Sequence, residues 1–262
     1  MLGIALTAFV AMESRAASTI EGNSSMPANA VKPAPAAVAP LLERFDEEWT
    51  RRDRPESLAA ARAALDGAEK VAPEAYEVLW REARYLAWVS DDTSLPTKER
   101  SRLGKRGWEV AEQAVRLEPD RIEGHFYAAV NMGNYALGIG VLKALSQGIE
   151  GKFKERLSRA EQIDPTFDSG TVYNAWGRFW YELPWPKYSA RRSEEALRKA
   201  LRVNPASARA RVYLAELFMK EDKIEQARNV LNDVIASEPA AYDPPEVRRM
   251  QARARHLLEK LP

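Results

Sequence analysis

Asn174, Arg178 and Tyr181 lie in the densest aromatic stretch of the chain, YNAWGRFWYELPWPKY over residues 173–188, which holds seven of the 23 aromatic residues. A carboxamide, a guanidinium and a phenol beside an aromatic wall can take a carboxylate or a peptide backbone through charge-assisted hydrogen bonds. The stretch reads equally as bulky core packing, because aromatic side chains dominate core energetics. Covalent and metal chemistry have far less to work with. The absence of cysteine excludes disulfides, thiol nucleophiles and thiolate-held metals. His125 and His256 are far apart in the sequence, and each reads as a structural residue. Paired carboxylates in an apolar setting, a phosphate loop and a nucleophile–base pair are all missing from the pattern. No catalytic residue, no metal site and no cofactor is expected, and the chain does not read as an enzyme.

A second segment, NMGNYALGIGVLKALSQGIEG over residues 131–151, is apolar and rich in glycine. Six of the thirteen glycines fall between Gly124 and Gly151. Glycine costs about 1 kcal/mol against alanine inside a helix, so such use needs a reason. Either the missing side chains let helices touch, or the segment borders a pocket that meets a partner or an apolar ligand. The GxG it contains is not a dinucleotide fingerprint, since no strand precedes it.

The elements that must position these residues are helices. Of 262 residues, 39 are Lys or Arg and 38 Asp or Glu, a net charge of +1. That balance argues against a nucleic-acid partner. The hydrophobic share of 45% supports a folded core. No apolar run approaches the roughly 20 residues that span a bilayer. Residues 2–12 resemble the apolar part of a secretory signal, so residues 1–16 are expected to be a signal peptide and the protein periplasmic or secreted. The alternative is an apolar tail on a cytoplasmic protein. Residues 17–40, with seven alanines and four prolines, read as a disordered linker.

Residues 41–262 read as one helical repeat domain. The clearest unit, residues 208–241, carries Leu214, Ala215, Phe218, Ala227, Leu231 and Pro239 at positions 7, 8, 11, 20, 24 and 32. Small residues at 8 and 20 let two antiparallel helices approach, large ones fill the seam, and the proline stops the second helix. This resembles a tetratricopeptide repeat. Its ending recurs as Leu65-x-x-Ala68 before Pro73, Ala111-x-x-Ala114 before Pro119, Leu157-x-x-Ala160 before Pro165 and Leu197-x-x-Ala200 before Pro205. The five prolines are spaced 46, 46, 40 and 34 residues apart, so the earlier units carry insertions.

The expected fold is all-α: a superhelical array of about five such hairpins with a C-terminal capping helix. The helices are expected over residues 41–52 and 56–70, 74–90 and 97–117, 122 to about 145 and 151–162, 170–182 and 189–203, the unit at 208–241, and 245–261. Arg248, Arg249, Arg253 and Arg255 fall on one side of the last helix, where a solvated face is the plain reading and an anionic surface the sharper one. The repeat resemblance implies a concave groove, lined by the first helix of each hairpin, that binds a protein or peptide. Its groove positions place Trp80, Arg84 and Trp88 in the second unit, Phe126 and Asn134 in the third, and Asn174, Arg178 and Tyr181 in the fourth. Trp176 and Trp180 are expected in the fourth hairpin seam.

A further resemblance rests on GNYALGIGVLKAL, RAEQIDPTFDSG, AWGRFWYELPWPKYS and EEALRKALRVNPASARARVYLAEL, in that order, over roughly residues 123–236. This series is similar to the T-component family associated with TRAP transporters. That similarity implies a periplasmic tetratricopeptide-like protein that partners an extracytoplasmic solute-binding protein, assembles into a small homo-oligomer and handles an apolar small molecule. Lipoprotein members need an N-terminal cysteine, which this chain lacks. Two functions are therefore expected: a non-enzymatic protein-interaction scaffold, or a ligand-handling accessory of a solute uptake system.

Overall fold

A computed structural model describes residues 36–239 and 243–262; the expected signal and most of the expected linker lie outside the described residues. Among the described residues the chain is helical, without a strand. Five hairpins follow one another: α1 Ala39–Trp49 with α2 Pro55–Val71, α3 Tyr76–Ser90 with α4 Thr97–Leu117, α5 Ile122–Ile139 with α7 Ile149–Ile163, α8 Phe167–Glu182 with α9 Ala190–Val203, and α10 Ala208–Lys220 with α11 Ile224–Ala236. The short α6, Val141–Ser146, is inserted in the third hairpin, and α12, Pro244–Leu258, ends the chain.

The repeated ending does what its residue types require. Leu65, Ala68, Ala111, Ala114, Leu157, Ala160, Leu197 and Ala200 are all fully buried. In each copy the second helix stops two or three residues before its proline, because proline disfavours helical geometry in the residue before it. Ser189 and Ser207 cap α9 and α10 by accepting the backbone N–H of Arg192 and Ala210, both at 3.3 Å.

Several boundaries differ from the sequence reading. The end of the expected linker is folded: α1 begins at Ala39, and Val38 is fully buried beside Leu42, Phe45 and Trp49. The long helix expected from residue 122 to about 145 ends at Ile139, because Gly140 adopts φ 90° and redirects the chain into α6. The start of α8 is kinked by three consecutive left-handed residues, Asp168, Ser169 and Gly170.

Gly104 and Gly107 of α4 and Gly138 of α5 serve close packing. A Cβ at Gly104 would stand 2.8 Å from the backbone nitrogen of Tyr135, and one at Gly107 would meet the Asn131 side chain at 2.2 Å. Asn131 is fixed there by donating to the carbonyls of Ala83 and Tyr127, both at 2.9 Å. On the far face of α5, Gly133 has only Phe153 nearby, at 3.7 Å. The two faces predict opposite signs. Gly104→Val should destabilise by about 1–3 kcal/mol through overpacking, whereas Gly133→Ala should stabilise by up to about 1 kcal/mol through helix propensity. Urea unfolding midpoints of the two variants check this; equal shifts would contradict the assigned packing faces.

Candidate functional site

The first helices of the hairpins face inward around a groove of about 510 Å³. One wall is apolar, built by Phe126, Val130 and Leu137 of α5, Phe153 of α7 and Phe179 of α8. The glycine-rich segment thus packs against α4 on one face and borders the groove on the other. The rest of the lining is charged and balanced, with Arg52, Arg84, Arg100, Arg178, Arg209 and Arg253 among Asp91, Glu150, Asp168, Glu182, Asp243 and Glu246.

Six of the eight expected groove residues line this cavity: Arg84, Trp88, Phe126, Asn134, Asn174 and Arg178. Trp80 and Tyr181 do not. Trp80 stacks on Tyr127 with ring centroids 6.4 Å apart and donates its indole N–H to Glu77 at 2.7 Å, which spends it on packing. Tyr181 lies between the Arg178 guanidinium at 4.7 Å and the Lys220 ammonium at 4.4 Å. Asn134 is largely committed to structure, donating to the Ala87 carbonyl at 3.1 Å and the Ser90 hydroxyl at 2.8 Å. Asn174 donates to the Ser207 hydroxyl at 3.4 Å, and its buried Oδ1 has no hydrogen-bond partner among the described residues. Arg178 pairs with Glu182 and Glu216. Burial opposes its charge, but these carboxylates more than offset that and strengthen its hold on the proton.

Of the two tryptophans expected in the fourth hairpin seam, Trp180 meets Arg192 of α9 at 4.5 Å, and Trp176 does not enter the seam. Gly177 sits against Leu197, and its carbonyl accepts from Ser193 at 2.8 Å. Trp176 instead turns toward α7, donating to Glu161 at 2.8 Å and meeting Phe153 edge-on. His125 is packed, as expected: its Nε2–H donates to the Pro119 carbonyl at 2.8 Å, and burial lowers its pKa.

The largest departure concerns α12. Arg248 and Arg255 are exposed, but Arg249 and Arg253 are half-buried, and the helix reaches back to the first two hairpins and closes the superhelix. Arg248 reaches Asp53 at 2.5 Å. Arg249 covers the Trp88 ring at 3.3 Å and donates to the Trp88 carbonyl at 2.9 Å. Arg253 donates to Glu216 at 2.8 Å and 2.5 Å, and only Arg255 stays exposed without such a role. Arg52 pairs with Asp243, just before α12, and lies over both Trp49 at 4.9 Å and Trp88 at 4.3 Å. Arg209 joins Asp91 at 2.8 Å to Glu246. First and last elements are thus stitched across the groove by ion pairs that sequence reasoning missed. One signal was readable: counted from Ala208, Arg209 and Glu216 occupy groove positions 2 and 9.

The groove offers an apolar surface beside a charged one in which most guanidiniums are already paired with carboxylates. Among the described residues no cluster of His, Cys, Asp and Glu could hold a metal ion. The fold is that of a known repeat protein. The thermophilic tetratricopeptide-repeat protein TTC0263 of Thermus thermophilus superposes with a TM-score of 0.62 at 16% identity, covering 84% of this chain and 98% of that one. A structure of PilF from Pseudomonas aeruginosa matches with a TM-score of 0.46 at 15% identity, over 86% of this chain and 93% of that one. No curated protein matches the chain by sequence. The model of the family described as regulator of microtubule dynamics protein 1-3 matches residues 41–262, the whole expected repeat array, and to that family the chain belongs.

Proposed function

We propose that the protein is a non-enzymatic binding module that holds an extended segment of a partner protein in its closed groove. The observation that carries this is the mixed lining: aromatic and aliphatic side chains on α5, α7 and α8, and guanidiniums from the α1–α2 turn and from α3, α8, α10 and α12. Such a lining suits a peptide with apolar residues on one side and acidic residues on the other, since aromatic and arginine anchors dominate interface energies. The family's namesakes regulate microtubule dynamics, and this module is the part with which such a regulator would hold a partner. Selection from a random peptide display library against the full chain should yield a consensus of spaced apolar residues with at least one acidic residue. Arg84→Glu combined with Phe179→Ala should weaken a selected peptide by at least about tenfold, two lost anchors of roughly 1 kcal/mol or more each. Selection without a consensus, or unchanged affinity in the variant, overturns the groove assignment.

A second reading is favoured by the volume. At about 510 Å³ the groove falls within the range of small-molecule sites, and its apolar wall suits an apolar ligand. Native mass spectrometry of the purified chain would reveal such a ligand as a discrete added mass. A periplasmic setting is supported by the apolar run at residues 2–12. A solute-binding partner is supported by the transporter-associated resemblance of residues 123–236. Both belong to this second reading.

A further inference from the structure

The seam where the two ends of the array meet is not built like the rest of the protein. Elsewhere helix packs on helix: α2 on α1 and α3, α3 also on α4 and α5, and α12 on α10 and α11. Among the described residues, the apolar cores on the two sides of the seam share no member. Phe45, Trp49 and Trp88 belong to one, and Phe218, Val247 and Met250 to the other. Four arginines span the seam instead. Arg52 reaches Asp243, Arg248 reaches Asp53, Arg209 reaches Asp91, and Arg249 lies on Trp88.

Such a seam can part where a packed one cannot. Charged groups regain water as they separate, so an exposed ion pair is worth little net. Parting an apolar interface exposes its whole area. One of the pairs, Arg248 with Asp53, joins two exposed residues. The more buried cations are provided for on their own sides: Arg209 keeps Glu246, and Arg52 keeps the Trp49 carbonyl at 3.1 Å. Arg249 is held closed at a cost. Burial lowers its pKa, and Asp91, 3.7 Å away, does not make up the difference; separation would return it to water.

The seam is also part of the groove wall, through Arg52, Trp88, Asp91, Arg209 and Asp243. A free chain end can thread into a closed groove from its mouth. An internal segment with folded structure on both sides cannot, and has to cross the wall.

We propose that the seam is a gate, which opens to admit an internal, extended segment of a partner sideways and closes over it. This rests on the peptide-binding reading of the groove and specifies the partner segment as one flanked by folded structure, not a free terminus. Rigid units that swing about an interface repacking its salt bridges are an established mode of switching.

The absence of native cysteine permits a clean test. Asp53→Cys with Arg248→Cys puts a thiol on each side of the seam, at exposed positions outside the groove lining. A short bismaleimide bridges the two, and the same double variant capped with N-ethylmaleimide is the unbridged control. The probe is a groove-selected peptide placed between two small folded domains, compared with the same peptide alone. The bridged chain should take up the flanked probe at least about tenfold more slowly than the capped chain. The free peptide should bind both forms alike. Equal uptake of the flanked probe overturns the gate. Small-angle scattering adds an arm that needs no ligand. At about 1 M salt, where the Debye length is only about 3 Å, the wild-type radius of gyration should exceed its low-salt value, and the bridged chain's should not. A wild-type radius that does not respond to salt also overturns the gate. Free peptide that binds neither form counts against the peptide reading of the groove, and the scattering result then decides the gate by itself.

Discussion

Glu216→Ala is expected to cost about 3–5 kcal/mol of stability, the usual consequence of removing one partner of a buried ion pair. Glu216 is 7% exposed on α10 and receives Arg178 on one carboxylate oxygen and Arg253 on the other. Alanine would leave two guanidiniums facing each other without the charge that separates them. Arg178 would keep Glu182, but Arg253 would keep only the Tyr213 ring, 5.6 Å away. Chemical unfolding measures the loss directly. The control is Glu216→Leu combined with Arg253→Met, in which an apolar pair replaces the ionic one and most of the stability should return. A loss below about 1 kcal/mol in the single variant would mean that the pair behaves like a solvated surface bridge. Glu216 also orients Arg178, so peptide affinity should fall in the single variant even where the fold persists.

Asp91→Ala should open the closed superhelix, at a cost of about 3 kcal/mol. Asp91 sits at the end of α3 and meets Arg209 of α10 at 2.8 Å and Arg249 of α12 at 3.7 Å. Arg209 would retain Glu246, while Arg249 would retain only the carbonyl and ring of Trp88. Small-angle scattering should report a larger radius of gyration for the variant; an unchanged radius together with unchanged stability would refute the stitching role. The acid response gives a second readout. Burial pushes the Asp91 carboxyl upward, but Arg209 and Arg249 more than offset this and hold its pKa below the ordinary aspartate value of 3.8. A carboxylate with a depressed folded pKa contributes stability fully above its unfolded pKa and loses it as pH falls below that value. The wild type should therefore lose part of its stability below about pH 4, and the Asp91 variant should show a shallower acid limb.

Much of this architecture is visible in the residues, because the forces that set it are local. The small or apolar pair three residues apart before each proline reports a buried seam and a forced helix stop within nine residues, and in the second hairpin, where it is Ala111-x-x-Ala114 before Pro119, both helices lie within two residues of the expected bounds. Breaks governed by a single backbone conformation were harder. Nothing in ALGIGVLKAL distinguishes a glycine inside a helix from one at φ 90°, and Gly140 had to be seen to end α5. Within the site, Arg84, Trp88, Phe126, Asn134, Asn174 and Arg178 were legible because groove position follows repeat register. Trp80 and Tyr181 satisfied the same register, but each found a nearer partner, Tyr127 and Lys220, that drew it into packing.

Residue order is enough to dictate the helical hairpins, their succession, the inward face of each first helix and the glycine-rich approach of α4 to α5. All of these follow from periodicity and side-chain size over a few turns. That the array closes is a property of the assembled fold. Arg52 and Asp243 are 191 residues apart, and Arg248 and Asp53 are 195. Each hairpin adds a small rotation to the last, and their accumulated curvature brings the first hairpin to the last helix. There, Arg249 and Arg253, which read as part of a solvated face, find Trp88, Asp91 and Glu216, partners far back along the chain. A pattern read along the chain cannot contain that sum, because no single repeat carries the angle that closes the groove.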